Sequence, residues 1–387
     1  MLKDFFDKIR PAFQPEGKLH AFHSVFEGME TFMLVPNTTS KCGVSIHDAI
    51  DSKRIMSFVV IALLPALLFG MYNIGYQNAL AANQLEQTSF WSMLIYGFLL
   101  VLPKIVVSYV VGLGIEFAVA QWKKEEIQEG YLVTGILIPL IVPVGCPLWM
   151  MALAVAFSVI FCKEIFGGTG MNIFNPALVA RAFLFFSYPT SMSGDKVWLS
   201  TQSVMGFGYD LSDGFTAATP LGELAASAQP AASFSDMVIG LIPGSIGETS
   251  VIAILIGAAI LLYTQIASWC TMLSVFVGGA LVAFLFNHAG MDTNAAANLP
   301  WYEHLAAGGF CFGAVFMATD PVTSARTEKG KFIYGFLIGA LAILIRVLNP
   351  GYPEGMMLAI LFMNMFAPLI DYFFVQSNIN KRLKRAK

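Results

Sequence analysis

Charge is what this 387-residue sequence has least of: Asp, Glu, Lys and Arg together make up 12% of it. Soluble domains carry about 25%. With 57% hydrophobic residues and a mean hydropathy of +0.69, the shortfall excludes an ordinary soluble globule and points to a membrane protein. There is no basic stripe and no aromatic-rich basic module, which excludes nucleic acid as a partner. The five cysteines, Cys42, Cys146, Cys162, Cys270 and Cys311, form no CxxC, and four lie in or beside apolar runs. They read as free buried thiols; an iron or cluster ligand shared with another subunit is the alternative. His20, His23, His47, His288 and His304 show no HxxxH or HExxH spacing, so no self-contained zinc, haem or other metal site is expected. No G-x-G-x-x-G opens a helix after a strand, so NADH is not expected to bind this chain. The first residues lack the apolar core and cleavage site of a signal peptide. Phe5, Phe6, Ile9 and Phe13 fall near helical spacing with Lys8 and Arg10 between them. That is an amphipathic helix, either a cytoplasmic arm or one lying in the membrane interface.

What is present is a series of apolar runs. A hydrocarbon core about 30 Å thick needs about 20 helical residues, fewer for a half-helix packed inside protein. The pattern predicts spans over 55–72, 90–120 (interrupted by Pro103-Lys104), 131–144, 148–162 and 176–188. After a long polar stretch it predicts 251–263, 270–286, 304–318, 332–348 and 356–374. The expected fold is an all-α polytopic membrane protein of about ten transmembrane helices, several broken or half-length.

Lys and Arg cluster in alternate connections. Lys3, Lys8, Arg10, Lys18, Lys41, Lys53 and Arg54 precede the first span, Lys123 and Lys124 follow the second, and Lys163 ends the fourth. Arg326, Lys329 and Lys331 follow the eighth, and the tail holds Lys381, Arg382, Lys384, Arg385 and Lys387. By the positive-inside rule both termini are cytoplasmic and the stretch 190–249, which holds only Lys196, is outside. The expected organisation is a cytoplasmic arm (1–53), a five-helix half (54–189), an outer loop (190–249), a second five-helix half (250–375) and a basic tail (376–387). Five spans per half would make the halves inverted repeats, with a binding region among their broken helices. Asn175-Pro-Ala-Leu-Val-Ala-Arg181 and Asp320-Pro-Val-Thr-Ser-Ala-Arg326 share an [N/D]-P-x-x-x-A-R pattern.

Three features carry chemistry. The outer loop holds Asp213-Gly-Phe-Thr216-Ala-Ala-Thr219-Pro, of the form D-x-x-[S/T]-[G/A]-A-T. This is the acceptor pattern by which a flavin transferase joins FMN phosphate to a threonine hydroxyl. Small neighbours admit the enzyme, and Pro220 disfavours helix at Thr219. The bland alternative is an ordinary loop. Next, Phe166-Gly-Gly-Thr-Gly-Met-Asn172-Ile-Phe-Asn175-Pro176 precedes a half-helix whose free N–H groups face whatever sits there. Asn172 and Asn175 supply amides able to read a flavin edge or ligate a cation; Asn175 acting as a plain N-cap is the alternative. Finally, acids at membrane depth are functional candidates. These are Glu116, after Gly112 and Gly114, with Asp320 and Asp371. Their oxygens suit a hard cation such as Na⁺; pairing with a cation such as Arg326, Lys381 or Arg382 is the alternative. Arg181 and Arg346 are candidate partners within the bundle.

Taken together, GGTGMNIFNPALVARAFLFFSYP, SGDKVW, DGFTAATPL, ATDPVTSARTEKGKFIYG and NMFAPLIDYFF resemble the B subunit of the sodium-translocating NADH:quinone reductases. The resemblance covers essentially the whole chain, with the motifs in order. It implies a six-subunit complex that passes electrons from NADH, oxidised on a partner, through flavins and iron–sulfur centres to quinone, with Na⁺ export. It implies covalent FMN on Thr219, riboflavin near Asn172 and Asn175, quinone near Gly112 and Glu116, and a sodium path through Asp320 and Asp371. It also implies a flavin transferase for maturation and a bacterial inner membrane. The glycine segment departs from the family pattern, with Leu113 between Gly112 and Gly114, and 198–213 is longer than usual. Two rivals remain: the D subunit of the related RNF ferredoxin:NAD reductase, disfavoured by the long arm 1–53, and a stand-alone channel or solute transporter, which needs no flavin motif.

Overall fold

The computed structural model describes residues 2–13, 26, 30, 34, 42–44, 52–123, 130–211, 216–226, 230–289, 294–349 and 351–386. Among these the chain is helical, with one isolated β-bridge between Val204 and Phe207. After an N-terminal helix, Leu2–Phe13, the bundle helices follow in chain order: α1 (Ser52–Ala81), α2 (Phe90–Lys123), α3 (Tyr131–Leu140), α4 (Leu148–Ser158) and α5 (Pro176–Ser187). Then come α6 (Val251–Tyr263), α7 (Trp269–His288), α8 (Phe310–Phe312), α9 (Glu328–Leu348) and α10 (Met356–Ala386). Five of them, α1, α2, α7, α9 and α10, are long and apolar enough to cross a membrane. Helices α3 to α6 have 10 to 13 residues and rise about 15–20 Å, too little for a full hydrocarbon core. Such ends are tolerable only where protein satisfies them. The Leu140 carbonyl ending α3 accepts from Gly247 N at 2.7 Å.

In the N-terminal helix Phe5 is exposed and Phe6 buried, and Phe6 and Phe13 pack on Phe26 with ring centres 5.8 and 4.7 Å apart. The helical spacing of the phenylalanines is thus real. Within the bundle, α1 lies along α2, and α6 lies along α1. The second and fourth helices of each half pair alike: α2 packs on α4, and α7 packs on α9. The α7–α9 pair is close because Gly335 and Gly339 face the Thr271 and Val275 carbonyls, where a Cβ would collide. Small residues four apart are how membrane helices bring backbones together.

Three expectations change. The second span is not interrupted at Pro103-Lys104; α2 runs through it as one helix. Lys104 is buried, and its Nζ donates to the Pro143 and Cys146 carbonyls (2.7 and 3.1 Å) in the α3–α4 turn. The eighth span is broken: a short helix Trp301–Ala306 stops at Ala307, Gly308 takes φ +63°, and α8 restarts at Phe310. That left-handed turn is one glycine adopts without strain. Both α4 and α8 continue into wide π turns, Val159–Glu164 and Gly313–Met317. Helix α10 runs on to Ala386, so the basic residues continue the last helix.

Residues 200–209 lie over one end of α1 and α2. Asn78 Nδ2 donates to the Ser200 and Tyr209 carbonyls (both 3.0 Å), and Tyr96 OH donates to Gln202 O at 2.7 Å.

Candidate functional site

Two cavities sit at opposite ends of the bundle, since α6 starts beside one and ends beside the other. Thr219 lines the first, about 690 Å³ of empty space shared with Arg181, Phe185, Trp198, Leu221 and Tyr352. Thr219 is extended (φ −75°, ψ 154°) and caps a short helix, Pro220–Ala225. Its Oγ1 accepts from Gly222 N at 3.0 Å, with Pro220 at the first helical position. The approach to Thr219 is pinned, because Ala217 N donates to the Asp195 carbonyl at 3.0 Å. Thr216 is exposed, Thr219 half-buried, and Asp213 lies outside the described residues.

The floor of this cavity is ionic, which the sequence did not reveal. Arg181, on α5, donates Nη1 to Glu248 Oε1 at 2.6 Å and Nη2 to Glu354 Oε2. Glu248 precedes α6 and Glu354 precedes α10, so one guanidinium ties the starts of two second-half helices to α5 of the first half. Arg346 stands nearby, donating to the carbonyls of His304 (2.6 Å), Ala307 (3.1 Å) and Glu354 (3.5 Å). Sequence separations of 67 and 173 residues hid the cluster. A signal did exist: Glu248 and Glu354 each sit directly before an apolar helix.

The second cavity, about 840 Å³, brings together Asn172, Asn175, Lys163, Thr169, Thr319 and Asp320. Asn175 caps α5, its Oδ1 accepting from Ala177 N at 3.0 Å, so the capping expectation holds. Its Nδ2 still reaches Asp320 Oδ2 at 3.4 Å. Asp320 Oδ1 accepts from Val322 N (3.1 Å), and its Oδ2 accepts from the Thr323 hydroxyl (3.0 Å). The first residues of the two [N/D]-P-x-x-x-A-R segments therefore meet. Their arginines do not: Arg181 is carried by α5 into the core, whereas Arg326 stays exposed.

Glu116 is buried and paired with Lys163, which also borders this cavity. Its partner is thus a lysine of α4's π turn, none of the three cations expected. Gly112 faces no open space: a Cβ there would strike the Tyr131 ring, whose OH donates to Ser108 O at 3.0 Å. Gly114 is open, with nothing within 4 Å. Asp371 stands apart from both cavities. Its carboxylate accepts from Arg326 N (2.7 Å), Thr327 N (2.9 Å) and the Thr327 hydroxyl (2.6 Å). It holds the loop that joins Asp320 to α9. The five cysteines are free: Cys42 is exposed and the others are buried.

Comparison with known proteins finds similarity along nearly the full length. The model of the NQR2, RnfD, RnfE family matches residues 39–380. A relative from Chromohalobacter salexigens, named as the B subunit of a Na(+)-translocating NADH-quinone reductase, is 45% identical across 99% of this chain and 96% of its own. Proteins of the same name from Klebsiella pneumoniae (strain 342) and Azotobacter vinelandii are 44% and 43% identical, over 99% and 100% of this chain and 99% of each of theirs. An all-α polytopic membrane chain that matches this model over nearly nine-tenths of its length belongs to the NQR2, RnfD, RnfE family.

Proposed function

We propose that this chain is the B-type membrane subunit of a sodium-translocating NADH:quinone reductase, carrying FMN on Thr219. The observation that carries the reading is Thr219 itself: an extended threonine in a flavin-acceptor pattern, at the wall of a cavity lined by aromatic and apolar side chains. Full-length similarity to proteins of that name supports it. The residues suit the group. Phe185, Trp198, Leu221 and Tyr352 offer apolar and aromatic walls, and the Thr219 hydroxyl offers the ester oxygen. A flavin joined there supplies one- and two-electron redox chemistry.

The chain's own part is positioning. The Ala217–Asp195 hydrogen bond and Pro220 hold the acceptor extended, and Arg181, paired with Glu248 and Glu354, forms part of the floor. At the other end, Asn172 and Asn175 suit a second flavin, riboflavin, with the unpartnered Thr169 hydroxyl as a further donor. Asp320 lies in the same cavity and offers a carboxylate to Na⁺. Asp371 serves that path indirectly, by clamping the Asp320 loop. Gly112 and Glu116 act on quinone through Tyr131 and Lys163 rather than by direct contact. Lys and Arg placement puts the Thr219 end outside and both termini in the cytoplasm, in a bacterial inner membrane. The other subunits of a six-subunit complex supply NADH oxidation.

The rival within the family is the D-type protein of the RNF ferredoxin:NAD reductase. The relatives that share the N-terminal arm are named as quinone-reductase subunits, which favours the first reading. Purification of the assembled complex decides it. Quinone reduction by NADH that is stimulated by Na⁺ is expected; electron transfer from reduced ferredoxin alone would reverse the assignment.

A further inference from the structure

We propose that Asn364, on α10, is a positioning residue for the cavity that brings together Asn172, Asn175 and Asp320. The inference rests on reading that cavity as the place of riboflavin and of a carboxylate for Na⁺. The polar groups of Asn175 can be followed to partners, as burial requires. Its Oδ1 accepts from Ala177 N (3.0 Å), its carbonyl accepts from Val179 N (3.1 Å), and its Nδ2 donates to Asp320 Oδ2 (3.4 Å). The remaining group is its backbone N–H, which donates to the side-chain oxygen of Asn364 at 3.3 Å. Pro176 has no N–H to offer. The Asn364 bond therefore ties the backbone at the start of α5 to the second half of the chain.

Its neighbours fix which way the Asn364 amide faces. The Ile360 carbonyl, one turn back, accepts from Nδ2 at 3.2 Å, which turns the oxygen towards Asn175. The Tyr334 hydroxyl, on α9, accepts from the same Nδ2 at 2.7 Å. Asn364 is 1% exposed, Tyr334 0% and Asn175 4%. An amide at that depth is costly unless its hydrogen bonds are made, so the arrangement holds its members in place. Asp371 lies seven residues further along α10, about two turns on and on nearly the same face. It holds the 326–327 backbone, beyond Asp320. One face of α10 thus grips both sides of the cavity: Asn175 through Asn364, and the Asp320 loop through Asp371. Asn364 acts through Asn175. It sets where the Asn175 amide points and how closely Nδ2 approaches Asp320.

The test uses the whole purified complex with wild-type, Asn364→Leu, Asn364→Thr or Tyr334→Phe chains. The first substitution keeps the volume and removes the acceptor for Asn175 N. The second satisfies its own hydroxyl on the Ile360 carbonyl but extends less far than the amide oxygen. Riboflavin released on denaturation is counted per complex after a desalting wash. NaCl is titrated for half-stimulation of quinone reduction, and melting temperature is read on the same samples. Both Asn364 variants should need about fivefold more NaCl, the equivalent of one buried hydrogen bond, and should retain less riboflavin. Tyr334→Phe leaves the Asn364–Asn175 bond in place and should stay within about twofold of the wild type. If Asn364→Leu fails to assemble, Asn364→Thr carries the test. Asn364 variants that melt lower but keep wild-type riboflavin and sodium response would show a merely structural role and overturn the proposal, as would an equally large shift in Tyr334→Phe. A wild type with neither releasable riboflavin nor a sodium response would instead sink the reading of the cavity on which the proposal rests.

Discussion

The buried Glu116–Lys163 pair permits a quantitative test of how the Asp320 end is built. Both side chains are about 95% buried, and each is the other's charged partner. Removing one partner strands an ion in low dielectric, a loss of about 3–5 kcal/mol in comparable buried pairs. Replacing both by apolar or neutral groups of similar shape is often neutral. Lys163→Met alone and Glu116→Gln alone should therefore each lower the melting temperature of the solubilised complex markedly. The double substitution should restore most of the loss, giving a coupling energy of several kcal/mol in a double-mutant cycle. The same cycle read on quinone reduction separates structure from chemistry. If Glu116 acts only by fixing Lys163 and α4's π turn, activity returns with stability. Additive single effects, with no recovery in the double variant, would refute the pairing.

Three more outcomes follow from the geometry. Asp371→Ala removes the acceptor for Arg326 N and Thr327 N, so amide exchange at both positions should accelerate at least tenfold and Na⁺ stimulation of quinone reduction should weaken; unchanged exchange would remove the clamp. Gly112→Val drives a side chain into Tyr131 and should cost about 1–3 kcal/mol of stability, whereas Gly114→Val on the open face should cost little, and equal effects on the melting temperature would contradict the packing described. Asp210 is held below the ordinary carboxylate value of 3.8 by hydrogen bonds from Ser203 N and its hydroxyl. A depressed carboxylate stabilises above its unfolded value and loses that contribution as the pH falls through its folded one. Proteolysis of the 203–210 tip should therefore increase only below about pH 4, and an onset near pH 6 would point to another group.

How far the sequence carried the description depended on whether the signal was local. Apolar runs located the five long helices and the shorter apolar ones among the described residues, and Pro176 marked a helix start because proline's effect is confined to its neighbours. The break at Ala307–Gly309 was illegible, since hydropathy treats that stretch as part of one apolar run. Pro103 misled in the opposite direction, because neighbouring helices let a membrane helix continue through proline. Asn172, Asn175 and Asp320 were each visible as polar residues in apolar surroundings, and they do share a cavity. Their partners were not visible: Lys163 for Glu116, and the 326–327 backbone for Asp371. The Arg181–Glu248–Glu354 cluster forms only through tertiary contact; the local pattern, a glutamate just before each of two apolar helices, does not pair them. The [N/D]-P-x-x-x-A-R match had the reverse character, a shared string whose first residues meet and whose arginines part.

The central claim is the flavin on Thr219. Its most direct measurement is the mass of the peptide that contains Thr219, from chain produced together with a flavin transferase. In-gel fluorescence of the intact chain accompanies it. The account predicts a peptide carrying FMN and a fluorescent band in the wild type, and neither in Thr219→Ala. An unmodified wild-type peptide, or a Thr219→Ala chain that still fluoresces, would contradict it.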